Sequence, residues 1–210
     1  RNSTRFGITT VVLVIGSLFT AFSAFAQSDM GKVPREWQTV AEKTNYDLTG
    51  PYDQAVAYAK KLDAASPLIK YATYGKSGEG RDLPLLIAAS DGAFSPKLAR
   101  EQGKAVVLVQ AGIHAGEIDG KDAGFALLRD IAITKTRTKL LDHVVILFQV
   151  IYNVDGHENS NPYMRFAQNG PAEMGFRANA TNLNLNRDYM KADAPETRGW
   201  LKLWNEWNPD

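Results

Sequence analysis

The sequence predicts an α/β fold in which helices cover a largely parallel or mixed β-sheet. Strand-like runs alternate with helical patterns along most of the chain, which is typical of layered α/β proteins. Two of these runs, residues 105–110 and 144–151, are apolar enough to be buried on both faces of a sheet. The chain has 210 residues and no cysteine, so a hydrophobic core rather than disulfides is expected to stabilise it.

The individual elements follow from hydrophobic periodicity. A helix over 49–64 has Ala55, Tyr58 and Leu62 on one face. Strands are predicted over 68–74, 83–89, 105–110 and 144–151, with a second helix over 118–131 between the last two. A third helix begins near Pro195, and its apolar stripe predicts core packing by Trp200, Leu203, Trp204 and Trp207.

The first 26 residues have the pattern of a signal peptide. Arg1 and Arg5 precede an apolar stretch over 11–24, and Ala24-Phe25-Ala26 forms a small-residue cleavage signal. A membrane anchor is the alternative, but this stretch is shorter than the roughly 20 residues that span a bilayer. We therefore expect a signal peptide over 1–26, export to the periplasm or extracellular space, and no stable membrane anchor after cleavage. An N-terminal extension over 27–50 then precedes the main domain, 51–210.

Charge composition argues against a nucleic-acid partner. The chain carries 24 basic and 23 acidic residues, and removal of 1–26, with Arg1 and Arg5, leaves 22 against 23. Proteins that bind nucleic acids by their backbone phosphates need a marked excess or a clear cluster of basic residues. A near-neutral mature chain points instead to another class of partner.

The tetrapeptide His114-Ala115-Gly116-Glu117 has the clearest chemical meaning. It follows the apolar run over 105–110, so it is expected at the end of a buried strand. An imidazole nitrogen and a carboxylate oxygen can bind one zinc ion, and a catalytic zinc site needs a further protein ligand and an open position for water. A His-x-x-Glu pair also arises by chance, and a solvated loop pair is the alternative interpretation.

A second polar turn, Asn153-Val154-Asp155-Gly156, follows the next buried strand. Ligand sites in α/β sheets gather beyond the carboxyl ends of strands, so this turn and His114 are predicted to be neighbours. The segment over 162–188 is long, polar and irregular, which in compact domains usually indicates function. It carries three arginines, Arg165, Arg177 and Arg187.

Four motifs in this order resemble the zinc metallocarboxypeptidases of the carboxypeptidase A/B type. They are Gly75-x-Ser77-x-x-Gly80-Arg81, His114-Ala115-Gly116-Glu117, Asn153-Val154-Asp155-Gly156 and Asn186-Arg187. Each motif alone is loose, and their order across most of the mature chain makes the resemblance specific. It implies a carboxypeptidase-like, three-layer α/β/α fold with a mixed, largely parallel central sheet.

The resemblance also implies roles for single residues. His114 and Glu117 correspond to zinc ligands for one Zn2+ ion, and Asn186 and Arg187 to the pair that holds the substrate's terminal carboxylate. Arg177 is the best match for the catalytic arginine that steadies the scissile carbonyl, with Arg165 as the alternative.

These matches imply an exported zinc-dependent metallocarboxypeptidase. Its expected partner is a peptide or protein substrate with a free C-terminus, whose last peptide bond is hydrolysed by metal-activated water. Two alternatives remain open. One is a zinc-dependent deacylase or cell-wall peptide amidase of the same superfamily, and the other is a catalytically inactive secreted binding module.

The chain departs from the family pattern at its C-terminal end and at position 184. The family's second zinc-binding His and its general-base Glu come late, so we expect the third ligand beyond Asp210 and a catalytic domain, 51–210, that is truncated at its C-terminus. This fragment alone is expected to be inactive. Asn184 stands where many relatives have an Asp that braces the zinc-binding His. His157 matches no family ligand and is predicted to be a loop residue near the site.

Overall fold

The computed structural model describes residues 33–165 and 168–210. The predicted signal peptide, 1–26, lies outside the described residues. Residues 39–210 form one compact unit, and a separate unit ends at Gln38 and contains a short 3-10 turn at Arg35–Trp37. Within the described ranges, none of the helices combines the length and the apolar character needed to cross a bilayer.

A four-stranded sheet forms the centre of the compact unit, with strand order β1-β2-β4-β3. The strands are β1 (Ile69–Lys76), β2 (Asp82–Ala88), β3 (Ala105–Gln110) and β4 (Val144–Gln149). The predicted α/β class with a mixed sheet is confirmed. The β3–β4 pair is parallel, whereas β2 pairs antiparallel with both β1 and β4. The parallel share of the described sheet is therefore smaller than expected, because β1 and β2 form a hairpin and β4 returns beside β2.

Six α-helices and a small second sheet complete the described elements. The helices are α1 (Val40–Lys43), α2 (Tyr52–Ala65), α3 (Pro96–Glu101), α4 (Asp119–Ala132), α5 (Val154–Glu158) and α6 (Pro195–Trp207). The second sheet pairs β5 (Ser160–Asn161) with β6 (Met174–Gly175). Short 3-10 turns lie at Thr138–Asp142 and Leu185–Arg187.

Helices cover both faces of the four-stranded sheet. On one face Phe148 of β4 contacts Phe125 of α4, with ring centroids 6.0 Å apart, and Phe125 contacts Tyr58 of α2 at 4.9 Å. Phe148 pairs with Leu86, so the neighbouring side chains Leu85 and Ile87 point to the opposite face, where they line a cavity with α6. The three-layer arrangement follows from this alternation.

The tryptophan-rich helix packs mainly as its stripe predicts. Leu203 and Trp207 are buried, and the rings of Trp200 and Trp204 contact each other in a tilted arrangement, with centroids 5.0 Å apart. Trp204 departs from the expectation because two-fifths of its surface stays exposed. The start of this helix has Pro195 in its first turn, and no side chain caps it.

The parallel β3–β4 pair brings the two polar turns together. Tyr152 N donates to Ala111 O at 2.9 Å, and Asn153 N donates to Gly112 O at 3.1 Å. The segments that follow β3 and β4 thus leave the sheet side by side, at the carboxyl ends of these two strands. As predicted, the loop that carries His114 and the turn that begins at Asn153 are neighbours.

Candidate active site

The His114–Glu117 pair lies in the loop that joins β3 to α4. Glu117 N donates to His114 O at 2.9 Å, which closes a turn and points both side chains the same way. His114 Nδ1 lies 3.1 Å from each carboxylate oxygen of Glu117. The imidazole is buried, whereas the Glu117 side chain is 44% exposed. The pair therefore has a fixed inner member and an outer member that solvent and substrate can reach.

This arrangement fits two ligands of one zinc ion. Ligand atoms at 2.0–2.2 Å from a tetrahedral zinc are about 3.4 Å apart, close to the distances between His114 Nδ1 and the Glu117 oxygens. In the part of the chain that the structure describes, no group of three or more His, Cys, Asp or Glu side chains converges on a common point. Among the described residues, His114 and Glu117 therefore form a pair rather than a complete ligand set.

Both candidate arginines converge on Glu117. Arg165 Nη2 donates to Glu117 Oε1 at 3.0 Å, and Arg177 Nη1 lies 3.7 Å from the same oxygen. Partial burial opposes ionisation of Glu117, but hydrogen bonds from Arg165 and His114 outweigh it and lower the pKa of Glu117. Arg165 Nη1 is buried without a hydrogen-bond partner among the described residues. Two guanidinium groups thus stand beside the Glu117 carboxylate.

The backbone around Arg177 is held by the Asn153 turn. Asn153 is fully buried, its Nδ2 donates to Arg177 O at 3.2 Å, and its Oδ1 accepts from Gly156 N. A β-carbon on Gly156 would lie 2.6 Å from Phe176 O. Real β-carbons do not approach this closely, so only glycine permits the contact.

Gly175 makes the equivalent contact to the loop that carries His114 and Glu117. A β-carbon there would lie 2.7 Å from Gly156 O and 2.9 Å from the β-carbon of Ala115. Ala115 is the residue after His114, so three loops meet backbone to backbone. We call this contact of 114–117, 153–156 and 175–177 the loop junction.

Asp155 braces the loop junction from the other side. Its carboxylate accepts from Ser77 Oγ at 2.8 Å, Glu79 N at 2.9 Å and Arg81 Nη1 at 2.7 Å. The side chain is completely buried, and a buried carboxylate requires such partners. The first motif of the resemblance, from Gly75 to Arg81, therefore has a structural role: it satisfies the charge of Asp155.

Asn186 and Arg187 lie in a 3-10 turn and are exposed. Arg187 Nη1 donates to Asn186 O at 2.9 Å, and no described hydrogen bond or ion pair joins either side chain to His114 or Glu117. The backbone of this segment is anchored nearby, because Tyr189 and the Gln110 side chain at the end of β3 hydrogen-bond at 2.9 Å. The pair stands near the strand end that leads to His114, with its side chains open to solvent.

Asn184 does not brace His114. Its Oδ1 accepts from Asn186 N and so caps the 3-10 turn. His114 Nε2 is buried and has no hydrogen-bond partner among the described residues. The amide at position 184 thus caps the 3-10 turn of Asn186 and Arg187 rather than contacting the imidazole.

The structure shows that the sequence-based prediction for His157 is wrong. It was expected in a loop, but it lies in α5, is buried, and accepts a hydrogen bond from Lys121 Nζ at Nε2, 3.0 Å away. His157 Nδ1 lies 2.8 Å from Glu158 Oε1, and Lys121 Nζ also donates to Gly50 O. Burial lowers the pKa of Lys121 to about 8, against the opposing effect of Asp122 and Glu158. Burial likewise lowers the pKa of His157.

Lys121 is a residue that the sequence analysis missed, although a signal existed. It precedes Phe125 by four residues and Leu128 by seven, so it occupies the inward face of the predicted helix. A lysine at such a position needs buried partners. The helical pattern therefore indicated that Lys121 makes a buried polar contact behind the loop of His114 and Glu117, but it did not identify His157 as the partner.

Comparisons with known proteins point to one family. The sequence profile of the zinc carboxypeptidase family matches residues 55–207. A relative named probable carboxypeptidase 2, from Trichophyton verrucosum, is 32% identical over 136 residues, which cover 64% of this chain and 23% of the relative. Carboxypeptidase 2 from Trichophyton rubrum is 29% identical over 155 residues, or 72% of this chain and 26% of that protein. The chain thus spans about a quarter of the length of these relatives.

Solved structures show the same fold. A putative carboxypeptidase A from Shewanella denitrificans superposes with a TM-score of 0.57 at 21% identity, over 74% of this chain and 36% of that one. Carboxypeptidase A from Helicoverpa armigera superposes with a TM-score of 0.55 at 20% identity, over 75% and 42%. With the family profile matching most of the compact unit, the chain belongs to the zinc carboxypeptidase family.

Proposed function

We propose that this chain is part of an exported zinc metallocarboxypeptidase that removes the C-terminal residue of peptides. The observation that carries the proposal is the convergence of His114 Nδ1 and both Glu117 carboxylate oxygens, at 3.1 Å, beside two arginines. A structural ion pair would not need an exposed carboxylate with two guanidinium groups beside it. A hydrolytic zinc site that must stabilise a developing oxyanion needs this combination.

His114 and Glu117 would hold one Zn2+ ion, which when bound supplies an activated water and polarises the carbonyl of the substrate. Arg177, fixed through its carbonyl by Asn153, would direct its guanidinium at the oxygen of the scissile carbonyl. A preformed donor of this kind stabilises the transition state more than the ground state.

Asn186 and Arg187 would bind the terminal carboxylate of the substrate. A guanidinium offers two parallel donors that match the two carboxylate oxygens, and the amide of Asn186 adds a directional donor. The solvent exposure of both side chains leaves their donors available to a ligand. Recognition of a free carboxylate would make the enzyme an exopeptidase.

The domain organisation is part of the same proposal. Residues 1–26 would be a signal peptide, 27–50 an N-terminal extension and 51–210 part of the catalytic domain. The enzyme would act in the periplasm or outside the cell, on peptide or protein substrates.

The test compares one peptide with a free C-terminus and the same peptide with a C-terminal amide, in the full-length zinc-loaded protein. The free peptide should be the much better substrate. Arg187→Ala should reduce kcat/KM on the free peptide by a factor equivalent to about 2–5 kcal/mol, because a desolvated charge pair is lost. The amidated peptide should be affected little by the same change.

Arg198→Ala is the matched control, because Arg198 also donates to backbone carbonyls nearby but belongs to α6. It should leave the ratio of the two rates unchanged. Equal rates on free and amidated peptides would exclude the exopeptidase and favour a cell-wall peptide amidase. Release of an acyl group from an N-acyl amino acid, without peptide cleavage, would favour the deacylase.

A further inference from the structure

Residues 39–50 precede the region matched by the family profile, yet they pack against the catalytic domain. We call them the N-terminal strap. Glu42 and Arg129 form a buried ion pair, with Arg129 Nη1 2.7 and 2.6 Å from the two Glu42 oxygens. Thr49 Oγ1 donates to Asp122 Oδ2 at 2.8 Å, and Lys121 Nζ donates to Gly50 O. The strap is therefore fixed to α4 at both ends.

The strap is also joined to the loop that leads to Arg177. Ala172 N donates to Asp47 O at 2.9 Å. The strap, the first turns of α4 and residues 168–171 together enclose an open cleft of about 660 Å³. Glu117 is one of its lining residues, so the cleft begins at the zinc ligand.

The walls of the cleft are mostly apolar. Tyr46 and Leu48 of the strap stand opposite Ile118, Ala123 and Ala126 of the α4 region, and Pro171 closes a third side. Tyr46 and Leu48 are 61% and 42% exposed, which is unusual for large apolar side chains on one short segment.

The charged lining of the cleft is entirely acidic among the described residues. Glu42 and Glu117 are paired with arginines, whereas Asp119 and Asp122 form no described ion pair. Both aspartates lie in the first turn of α4, where they already match the positive end of the helix dipole. An additional carboxylate in the cleft would therefore be repelled.

The cleft is lined by the first turns of α4, whereas the segment with the proposed carboxylate-binding pair contacts α6. Tyr189, which follows Arg187 closely, contacts Trp200 of α6 with ring centroids 4.9 Å apart. Helix α4 packs on the opposite face of the sheet. A peptide with its terminal carboxylate at Arg187 and its scissile bond at Glu117 would continue towards α4 and reach the cleft.

We propose that the cleft is a specificity subsite for the substrate side chain on the amino side of the scissile bond. It accepts a large apolar side chain and rejects an acidic one. This inference rests on the proposed function, because it needs a peptide oriented by Arg187 and cleaved at Glu117. It assigns the N-terminal strap a direct part in substrate selection.

The test uses the full-length zinc-loaded protein and three blocked peptides that share one C-terminal residue. The residue before it is Leu, Ala or Glu. We expect kcat/KM for the Leu peptide to exceed that for the Ala peptide by at least about tenfold, since apolar pockets discriminate by that factor for even one methylene. The Glu peptide should be the poorest of the three.

Leu48→Ala should reduce the Leu-to-Ala preference several-fold, and Ala123→Trp, which fills the cleft from an exposed helix position, should abolish it. Leu98→Ala is the matched control, because Leu98 is 40% exposed on the distant helix α3 and should change nothing. If all three peptides were cleaved, and Leu48→Ala and Ala123→Trp kept the Leu-to-Ala preference of the wild type, the subsite alone would be overturned. Failure to cleave any free peptide would overturn the proposed function, and the subsite with it.

Discussion

The loop junction and the Asn186–Arg187 segment differ in how their side chains are held. At the junction, glycine-permitted backbone contacts, a buried asparagine and a buried aspartate fix the loops that carry His114, Glu117 and Arg177. In the other segment the backbone is anchored through Tyr189, but Asn186 and Arg187 are exposed. The difference suggests a division of work. Under the proposed function, the groups assigned to the reacting bond would be preorganised, whereas those assigned to substrate capture would be free to adjust to it.

Loss of His114 is the most severe test of the preorganised region. His114→Ala should remove stoichiometric zinc from the full-length protein, because one of the few protein ligands is lost. Metal analysis after dialysis measures this directly, and peptidase activity should fall with the metal. His143→Ala is the control, since His143 is an exposed histidine at the end of a 3-10 turn. One tightly held zinc in His114→Ala would show that the ligand assignment is wrong.

Substitution of the two arginines beside Glu117 should affect two different properties, kcat for Arg177 and zinc affinity for Arg165. Arg177→Ala should lower kcat by about 10²–10³ with little change in KM, as expected for a donor to the developing oxyanion. Arg165 holds the carboxylate of Glu117, so Arg165→Ala should instead weaken zinc affinity, by about 10–100-fold for a partner that orients a ligand. Steady-state kinetics and zinc titration of both variants measure the two effects. A large kcat loss in zinc-saturated Arg165→Ala, with Arg177→Ala nearly normal, would move the oxyanion role to Arg165.

The buried contact between Lys121 and His157 should make the stability of the folded protein depend on pH. The pKa of Lys121 falls from 10.5 to about 8 on folding, so between these values the unfolded chain binds more protons than the folded one. The free energy of unfolding should therefore rise with pH across this window, by up to about 3 kcal/mol, relative to Lys121→Met. Urea unfolding of both proteins at pH 7 to 10 measures the difference. Lys97→Met is the control, because this side chain is 81% exposed, and its free energy of unfolding should follow that of the wild type at each pH. If the difference in free energy of unfolding between the wild type and Lys121→Met did not change with pH, Lys121 would titrate normally.

The sequence predicted the elements whose signals are local. The strand over 105–110 was placed at its observed bounds because an uninterrupted apolar run between turn residues has few other interpretations. The spacing of His114 and Glu117 predicted their convergence, and the resemblance predicted one arginine near them, Arg177 or, as its alternative, Arg165. The structure brings all four together.

What the sequence did not reveal depends on pairs that are distant along the chain. Glu42 and Arg129 are separated by 87 positions, and Ser77 and Asp155 by 78, and no local period marks either pair. Helix α3 was also missed, because a six-residue helix is too short to show a periodic stripe. His157 was misplaced in a loop because its burial depends on Lys121, which reaches it from another helix.

The Glu42–Arg129 pair indicates that the compact folded unit begins before the region that the family profile matches. The family profile begins at residue 55, but a protein cut there would lose Glu42 and leave the buried Arg129 with Asp130 as its remaining described ion-pair partner. Removal of one partner of a buried ion pair typically costs about 3–5 kcal/mol, a large part of the stability of an ordinary domain. Thr49 and Gly50 would be lost with it, leaving Asp122 and Lys121 short of partners. The smallest unit that can be expected to fold as observed therefore starts at Thr39, sixteen residues before the similarity does.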